Sequence, residues 1–216
     1  MIRVWDLFVR ISHWLIVLLV ISAWLSANYG DAEFKWHTWN GYAIFILVVS
    51  RIIWGIVGSS TARFSYFIKS PFNAIVYLIN VAKGKELRYS GHNPAGGWMV
   101  VFLLLVLLFQ SLSGMFSSDD ILAEGPFSYF VQERVVSILT GLHHLGFDIL
   151  MILVALHLLA VAYHQFIKKE KIIEAMIHGK KIAPKKQALV FYSFVFSMVI
   201  VGGVAGILWL VLNYYS

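Results

Sequence analysis

Hydrophobic positions along this chain form long runs with almost no charge, and polar segments separate these runs. The runs predict five membrane-crossing helices, at residues 11–27, 37–57, 97–115, 137–166 and 189–212. A helix needs about 20 predominantly apolar residues to cross the hydrocarbon core of a bilayer. A shorter apolar stretch at 71–81, inside the polar segment 58–96, predicts an amphipathic helix at the membrane surface. The pattern therefore predicts an all-α, polytopic membrane protein.

Composition supports the membrane assignment. The chain has 216 residues, of which 60% are hydrophobic and only 13% are charged. A soluble domain of this length has too little interior to bury so much apolar surface. The first apolar run is too long for the core of a signal peptide and no A-x-A cleavage site follows, so we expect it to be a retained span.

The chain contains no cysteine. This excludes disulfides, iron–sulfur clusters bound by thiolates and haem attached through C-x-x-C-H. Any haem must therefore be held without a covalent bond, by histidine or methionine side chains.

Charged residues are divided between alternate connecting segments. The segments after the second and fourth predicted helices are basic, and their basic residues are Arg63, Lys69, Lys83, Lys85, Arg88, Lys168, Lys169, Lys171, Lys180, Lys181, Lys185 and Lys186. The segments after the first and third helices carry the acidic residues Asp31, Glu33, Asp119, Asp120, Glu124 and Glu133. The positive-inside rule then predicts a cytoplasmic N-terminus and a periplasmic C-terminus in the bacterial inner membrane. Because the excess of +6 follows this topology, we expect membrane lipid and no nucleic acid as a partner.

Two histidines of the fourth predicted helix, His143 and His157, lie fourteen residues apart. At about 100° and 1.5 Å per residue, they share a face to within roughly 40° and differ in depth by about 21 Å. Histidine inside a membrane helix is costly without a partner, so a functional role is the default interpretation. The spacing predicts two stacked metal or haem sites.

Orientation converts sequence position into depth. His37 lies at the outer start of the second predicted helix, at the depth of His143, and His13 lies near the cytoplasmic end of the first, at the depth of His157. Neutral imidazole is an ordinary axial ligand of haem iron. A single histidine at a helix end is more often an interfacial residue, but two depth-matched pairs favour ligation. We therefore predict that each pair binds one haem iron.

The other histidines fit these sites less well. His144 is turned by about 100° from His143 and is predicted to face a loop or lipid headgroups. His164 is the rival of His157, because seven residues keep it on nearly the same face, but it lies about 31 Å from His143 and hence at the far interface. His92 and His178 fall in cytoplasmic segments and are predicted to be solvated.

Three charged residues within the predicted helices, or next to them, admit two interpretations each. Arg10 and Arg51 lie toward the cytoplasmic side, where a guanidinium can extend to lipid phosphates or pair with haem propionates. Asp148 can assist proton movement at a quinone site or bond to a neighbouring helix.

The chain resembles the bacterial cytochrome b561 family, which includes the b-type cytochrome subunits of nickel–iron hydrogenases. The similarity covers roughly residues 1–182 and rests on the segments Arg3-Val4-Trp5-Asp6, Arg10-Ile11-Ser12-His13-Trp14, Trp36-His37, Arg51-Ile52-Ile53-Trp54-Gly55, Gly91-His92-Asn93-Pro94, Gly97-Trp98-Met99, Asp119-Asp120-Ile121-Leu122 and Glu124-Gly125-Pro126, with the His143 to His157 spacing. The resemblance implies two haems b in a four-helix bundle, with axial ligands on the first, second and fourth helices. The family pattern falls on His13, His37, His143 and His157.

The resemblance also implies electron exchange with the quinone pool and with a redox partner, either a hydrogenase or a c-type cytochrome. Residues 1–187 are then the four-helix dihaem domain, with the amphipathic segment at about 58–96, and residues 188–216 form an additional transmembrane helix that departs from the family's four-helix form. The acidic outer loop 117–133 can attract a basic partner, although topology alone also depletes such a loop of lysine and arginine.

We expect an electron-transfer subunit without bond chemistry of its own, because the sequence shows neither a nucleophile constellation nor a zinc signature. Two alternatives remain at this stage. One is a self-sufficient quinone oxidoreductase that uses a small donor such as superoxide. The other is a haem-free transport or assembly subunit, although a transporter should show internal repeats or broken helices, and the sequence has neither.

Overall fold

A computed structural model of the chain describes residues 2–30, 35–89, 91–119, 123–181 and 189–214. Within these ranges, five helices are long and apolar enough to cross a membrane: α1 (Leu7–Tyr29), α2 (Lys35–Val57), α5 (Pro94–Gly114), α6 (Glu133–Ala162) and α8 (Phe194–Tyr214). The last turn of the fourth span is a π-helix, Tyr163–Ile167, which follows α6 directly. The predicted all-α fold with five membrane spans is confirmed.

Short elements connect the spans. The predicted amphipathic segment forms α4 (Pro71–Ala82). The sequence did not predict the helices α3 (Phe64–Phe67) and α7 (Ile172–His178), the 3-10 helices Ser60–Ala62 and Ser128–Phe130, or the antiparallel pair of β1 (Ile2–Arg3) with β2 (Lys180–Lys181). Helices of four and seven residues are too short for a hydrophobic period to show, and the two strands come from distant parts of the chain.

The helices α1 and α5 begin earlier than predicted, because a side chain caps the start of each. α1 begins at Leu7 rather than at residue 11 because the buried Asp6 accepts a hydrogen bond from the Val9 amide, 2.8 Å away. α5 begins at Pro94 rather than at 97 because the Asn93 side chain accepts from the Gly96 amide at 2.7 Å. Such side-chain acceptors satisfy the free N–H groups of a helix start.

The chain divides into two compact units, each of which gathers parts of several helices. Unit 1 comprises Met1–Ile11, Arg51–Leu103 and Leu153–Ser197. Unit 2 comprises Ser12–Ser50, Leu104–Ile152 and Met198–Ser216. The predicted boundary at 187/188 lies outside the described residues, so that division remains a prediction. Seven residues used above for the topology or the resemblance also lie outside them: Asp31, Glu33, Asp120, Ile121, Leu122, Lys185 and Lys186.

Asp6 organises the first residues of unit 1. Its side chain is only 2% exposed, and its second carboxylate oxygen accepts a hydrogen bond from Trp54 Nε1 at 2.9 Å. Trp54 is 1% exposed and packs edge-on against Phe8, with ring centroids 5.4 Å apart. The Thr61 hydroxyl donates to the Val4 carbonyl. These contacts fasten the N-terminal segment to the end of α2.

The end of α7 is joined to the same segment. Gly179 has a φ of +76° and ends α7, and its carbonyl accepts from the Val4 amide at 2.8 Å. Arg10 donates to the Ile177 carbonyl at 2.5 Å. A Cβ at Gly179 would lie 2.8 Å from the Trp5 carbonyl oxygen, so both the backbone angle and the space require glycine here.

The chain before α8 is held by hydroxyl groups near the end of α2. Ser60 and Val190 exchange two hydrogen bonds of 2.9 Å, and the Tyr192 amide donates to Ser59 Oγ at 3.2 Å. Phe196 then packs against Trp54 with centroids 5.7 Å apart. These bonds explain why α8 begins at Phe194 rather than at the predicted residue 189.

Replacing Asp6 by Ala should destabilise the protein by about 2–4 kcal/mol, because it removes a helix cap and leaves the buried Trp54 N–H without an acceptor. Thermal unfolding in detergent, for Asp6→Ala, Trp54→Phe and the double variant, measures the loss. The two single losses should not add, since both break one hydrogen bond. Trp209→Phe is the matched control, because Trp209 is 63% exposed. Full additivity would contradict this role of Asp6.

Candidate functional site

His37, near the start of α2, is half-buried in unit 2. Its Nδ1 lies 2.9 Å from the carbonyl oxygen of Ala23 on α1. A carbonyl only accepts hydrogen bonds, so Nδ1 carries the proton of the neutral ring. In this tautomer Nε2 is the nitrogen that would hold a metal, and the bond to the carbonyl fixes the ring orientation.

His143, in α6, is held in the same way in unit 2. Its Nδ1 lies 3.1 Å from the Gln110 carbonyl oxygen, and the Gln110 side-chain nitrogen lies 3.3 Å from its Nε2. Ser113 Oγ is also 3.3 Å from Nδ1. A Cβ at Gly114 would lie 2.9 Å from the His143 ring, so α5 admits this imidazole only because glycine stands there.

The rings of His37 and His143 lie close together in a T-shaped, edge-on arrangement. Their centroids are 6.0 Å apart and their planes make an angle of 84°. Two in-line metal–imidazole bonds of about 2 Å each would separate the centroids by roughly 6 Å. One turn after His37, a Cβ at Gly41 would meet no atom within 4 Å, which leaves room for a flat group on that face. This spacing fits two imidazoles that would hold one haem iron, and their assignment as its ligands stays a prediction.

The donor set also favours haem over a bare ion. Among the described residues, no group of three or more His, Cys, Asp or Glu side chains is placed to hold a metal. A haem needs only two protein ligands, because the macrocycle supplies four nitrogens. His144, next in sequence to His143, is exposed, as predicted.

The residues of the second predicted pair, His13 and His157, belong to different units. His157 is half-buried in the part of α6 that belongs to unit 1, and His13 is half-buried in the part of α1 that belongs to unit 2. Their assignment as partners at one haem iron stays a prediction.

The two arginines of unit 1 donate to backbone carbonyls. Arg51 is 6% exposed, and its guanidinium donates to the Ala62 carbonyl at 3.3 Å. Its burial is the opposite of what an arginine extended to lipid phosphates would show. Arg10 donates to the Asp6 and Ile177 carbonyls. Binding of haem propionates by Arg10 and Arg51 remains a prediction.

His92 differs from the prediction that it is solvated. Its ring lies between Trp5 and Phe67, with centroid distances of 4.6 and 4.5 Å. Its Nδ1 is buried and makes no hydrogen bond to any described residue. Burial and then the nearby charge of Arg51 lower the pKa of His92 to about 3, so the ring is neutral at physiological pH. The sequence could not reveal this, since Trp5 and Phe67 are distant along the chain. His178 is exposed, as predicted.

His164 lies in a buried polar cluster of unit 1. It is 9% exposed within the π-helical turn, with Nε2 3.4 Å from the Tyr77 hydroxyl and Nδ1 3.6 Å from a Glu170 carboxylate oxygen. Lys181 Nζ donates to Glu170 at 3.3 Å and to the Tyr89 carbonyl at 3.3 Å. π-helical turns are rare and are frequent at functional sites. Sequence reasoning placed His164 at the interface but missed this cluster.

Glu170 is the acidic member of the cluster. The nearby His164 ring, and then the charge of Lys181 with its hydrogen bond, lower the pKa of Glu170 to about 2. Its neighbours Lys169 and Lys171 have φ values of +54° and +51°, which are unusual for residues other than glycine. This backbone conformation turns the Glu170 carboxylate toward the protein interior, within a lysine-rich stretch. An acid directly between two lysines was the signal available in the sequence.

Comparison with known proteins identifies the family. The family model described as prokaryotic cytochrome b561 matches residues 4–179. A probable Ni/Fe-hydrogenase B-type cytochrome subunit of Rhizobium leguminosarum bv. viciae is 22% identical, over 83% of this chain and 88% of the relative. The protein of the same description from Azotobacter chroococcum mcd 1 is 23% identical, over 82% and 86%. No solved structure matches. The chain therefore belongs to the prokaryotic cytochrome b561 family, and it is a multi-pass membrane cytochrome of the b type that acts in electron transfer.

Proposed function

We propose that this cytochrome holds two haems b and relays electrons between the quinone pool and a redox partner, either a hydrogenase or a c-type cytochrome. The observation that carries the proposal is the opposition of His37 and His143, with ring centroids 6.0 Å apart. Haem b itself follows from membership of the family. The second haem rests on the prediction that His13 and His157 form the other axial pair.

A bound haem iron supplies one-electron redox chemistry, as it alternates between Fe³⁺ and Fe²⁺. The described residues contribute orientation and electrostatics. The Ala23 and Gln110 carbonyls hold the imidazoles in the tautomer that presents Nε2, and they increase ligand basicity. Arg10 and Arg51 are the candidates for pairing with propionates, because the guanidinium group binds carboxylates in a bidentate manner.

The proposed partner follows from the relatives and from charge. Relatives covering more than four fifths of the chain are described as hydrogenase cytochrome subunits, which supports a hydrogenase. The acidic residues of loop 117–133 support a basic c-type cytochrome as the second candidate. Membership of a cytochrome family argues against the haem-free alternative. A self-sufficient quinone oxidoreductase would reduce quinone with superoxide in the absence of any partner protein, which an assay of the isolated chain detects.

We further propose the inner membrane as its location, with a cytoplasmic N-terminus. Alkaline phosphatase fused after Asn213 should be active, because the enzyme folds only in the periplasm, and a fusion after Gly91 should be inactive. A fluorescent protein, which needs the cytoplasm, should give the reverse pattern. The opposite pattern at both positions would show that the charge distribution has been misinterpreted.

Replacing either His37 or His143 by Ala should remove the same haem and leave the other, because each variant deletes one axial ligand of one iron. Haem is quantified as the pyridine haemochrome, together with the reduced-minus-oxidised spectrum of the purified protein. Wild-type protein should contain two haems b per chain. His144→Ala is the matched control and should retain both, since this neighbouring ring is exposed. If the two variants lost different haems, the pairing would be wrong.

Gly114→Ala should lower the occupancy of the haem assigned to His37 and His143, because its Cβ would lie 2.9 Å from the His143 ring. The ring must then move off the axial direction. Gly203→Ala makes the same chemical change on α8, where a Cβ meets no atom within 4 Å, and it should leave haem content unchanged. Equal haem-to-protein ratios in the two variants would count against His143 as a ligand.

A further inference from the structure

The backbone carbonyl that holds His37 also accepts a hydrogen bond from a serine. The Ala23 carbonyl oxygen lies 2.9 Å from His37 Nδ1, and Ser26 Oγ donates to the same oxygen at 3.1 Å. Ala23 and Ser26 are both half-buried on α1. One oxygen therefore accepts from two donors, the imidazole of α2 and a hydroxyl of its own helix.

The same arrangement recurs at His143. The Gln110 carbonyl oxygen lies 3.1 Å from His143 Nδ1, and Ser113 Oγ donates to it at 3.2 Å. Ser113 Oγ also lies 3.3 Å from Nδ1, and Ser113 is only 2% exposed. In both places the serine stands three residues after the carbonyl that it contacts. Two different helices, α1 and α5, thus supply one arrangement to the two histidines.

The acceptor distinguishes these two serines from others in the helices. Serine side chains commonly bond back to a carbonyl of the preceding helical turn, so a single bond of this kind indicates no special role. Ser111 makes such a bond to the Leu107 carbonyl at 2.9 Å, and that carbonyl is not one of the two that hold the histidines. Ser26 and Ser113 instead contact the two oxygens that fix the predicted axial pair.

The strength of the bond from Nδ1–H controls how an imidazole binds iron. A strong acceptor at Nδ1 draws the proton away from the ring and increases the basicity of the ligand. A more basic ligand stabilises Fe³⁺ relative to Fe²⁺, and the midpoint potential then falls. A carbonyl oxygen that already accepts from a hydroxyl is a weaker acceptor for a second donor, because the two donors share its negative charge. A serine on this carbonyl therefore acts on the iron through the histidine.

We propose that Ser26 and Ser113 are positioning residues that raise the midpoint potential of one haem, because each competes with an axial imidazole for its backbone carbonyl. This haem is the one assigned to His37 and His143. The proposal deepens the proposed function and rests on it. Each hydroxyl weakens the Nδ1–H bond of its histidine, so both ligands stay closer to the neutral imidazole than the carbonyls alone would leave them. The carbonyls still fix the ring orientations.

The test uses the full-length, haem-loaded protein in detergent and measures both midpoint potentials by redox titration, followed at the haem absorption bands. Ser26→Ala and Ser113→Ala should each lower the potential of the haem that His37→Ala removes. At a fixed potential its ratio of reduced to oxidised form should fall roughly threefold, which is about 30 mV at 59 mV per tenfold change. The other haem should keep its potential. The double variant should show the sum of the two shifts, since each serine acts on its own ligand.

A second measurement reports on the ligands themselves. The low-spin ferric EPR signal of this haem depends on the imidazolate character of its axial ligands, and it should shift toward greater imidazolate character in both Ala variants. Ser111→Ala is the matched control, because it removes a hydrogen bond of the same kind from α5 at a residue that is 8% exposed. It should leave both potentials and the EPR signal unchanged. Ser26→Thr retains a hydroxyl that can bond to the same carbonyl, so it should keep the wild-type potential.

Each outcome decides the proposal. Wild-type potentials in haem-loaded Ser26→Ala and Ser113→Ala would overturn it and leave the proposed function intact, and so would a raised potential or shifts in two different haems. An equal shift in Ser111→Ala would show a general effect of losing a buried hydroxyl and would also overturn it. If His37→Ala retained both haems, the axial pairing of the proposed function would itself be wrong. If Ser113→Ala does not load haem, Ser113→Cys, which has a weaker donor of similar size, should still lower the potential, and a wild-type value there would count against the proposal.

Discussion

The structure depends on what the two nitrogens of each imidazole contact in an apolar environment. A buried nitrogen needs a partner, and a backbone carbonyl at the right distance decides which nitrogen carries the proton. The Ala23 carbonyl takes this part for His37, and the Gln110 carbonyl takes it for His143. A carbonyl of a neighbouring helix thus holds each ring in one orientation.

The sequence predicts those features that depend on local periodicity. Five apolar runs gave the five spans, and the position of His37 and His143 at one predicted depth agrees with the 6.0 Å between their rings. Features that depend on contacts between distant segments were not predictable. His92 lies against Trp5 and Phe67, which a single sequence cannot bring together, and it was therefore wrongly expected to be solvated.

The same limit applies to helix ends and to glycines. A hydrophobic period locates the middle of a helix, but Asp6 and Asn93 show that a single capping side chain decides where it starts. Gly114 and Gly141 are indistinguishable in sequence, yet one touches an imidazole and the other faces open space. Their difference is a property of packing, which a pattern of residue types does not contain.

The buried and half-buried histidines of this chain differ in what their Nδ1 atoms contact. Where a carbonyl occupies Nδ1, as in His37, the proton is committed to the backbone, and the ring is suited to hold a metal and exchange no proton. The buried Nδ1 of His92 has no such commitment to the described residues. The Ala23 carbonyl fixes the tautomer of His37, whereas no described residue fixes the tautomer of His92. The two rings therefore differ in what holds them, a backbone hydrogen bond for His37 and packing between Trp5 and Phe67 for His92.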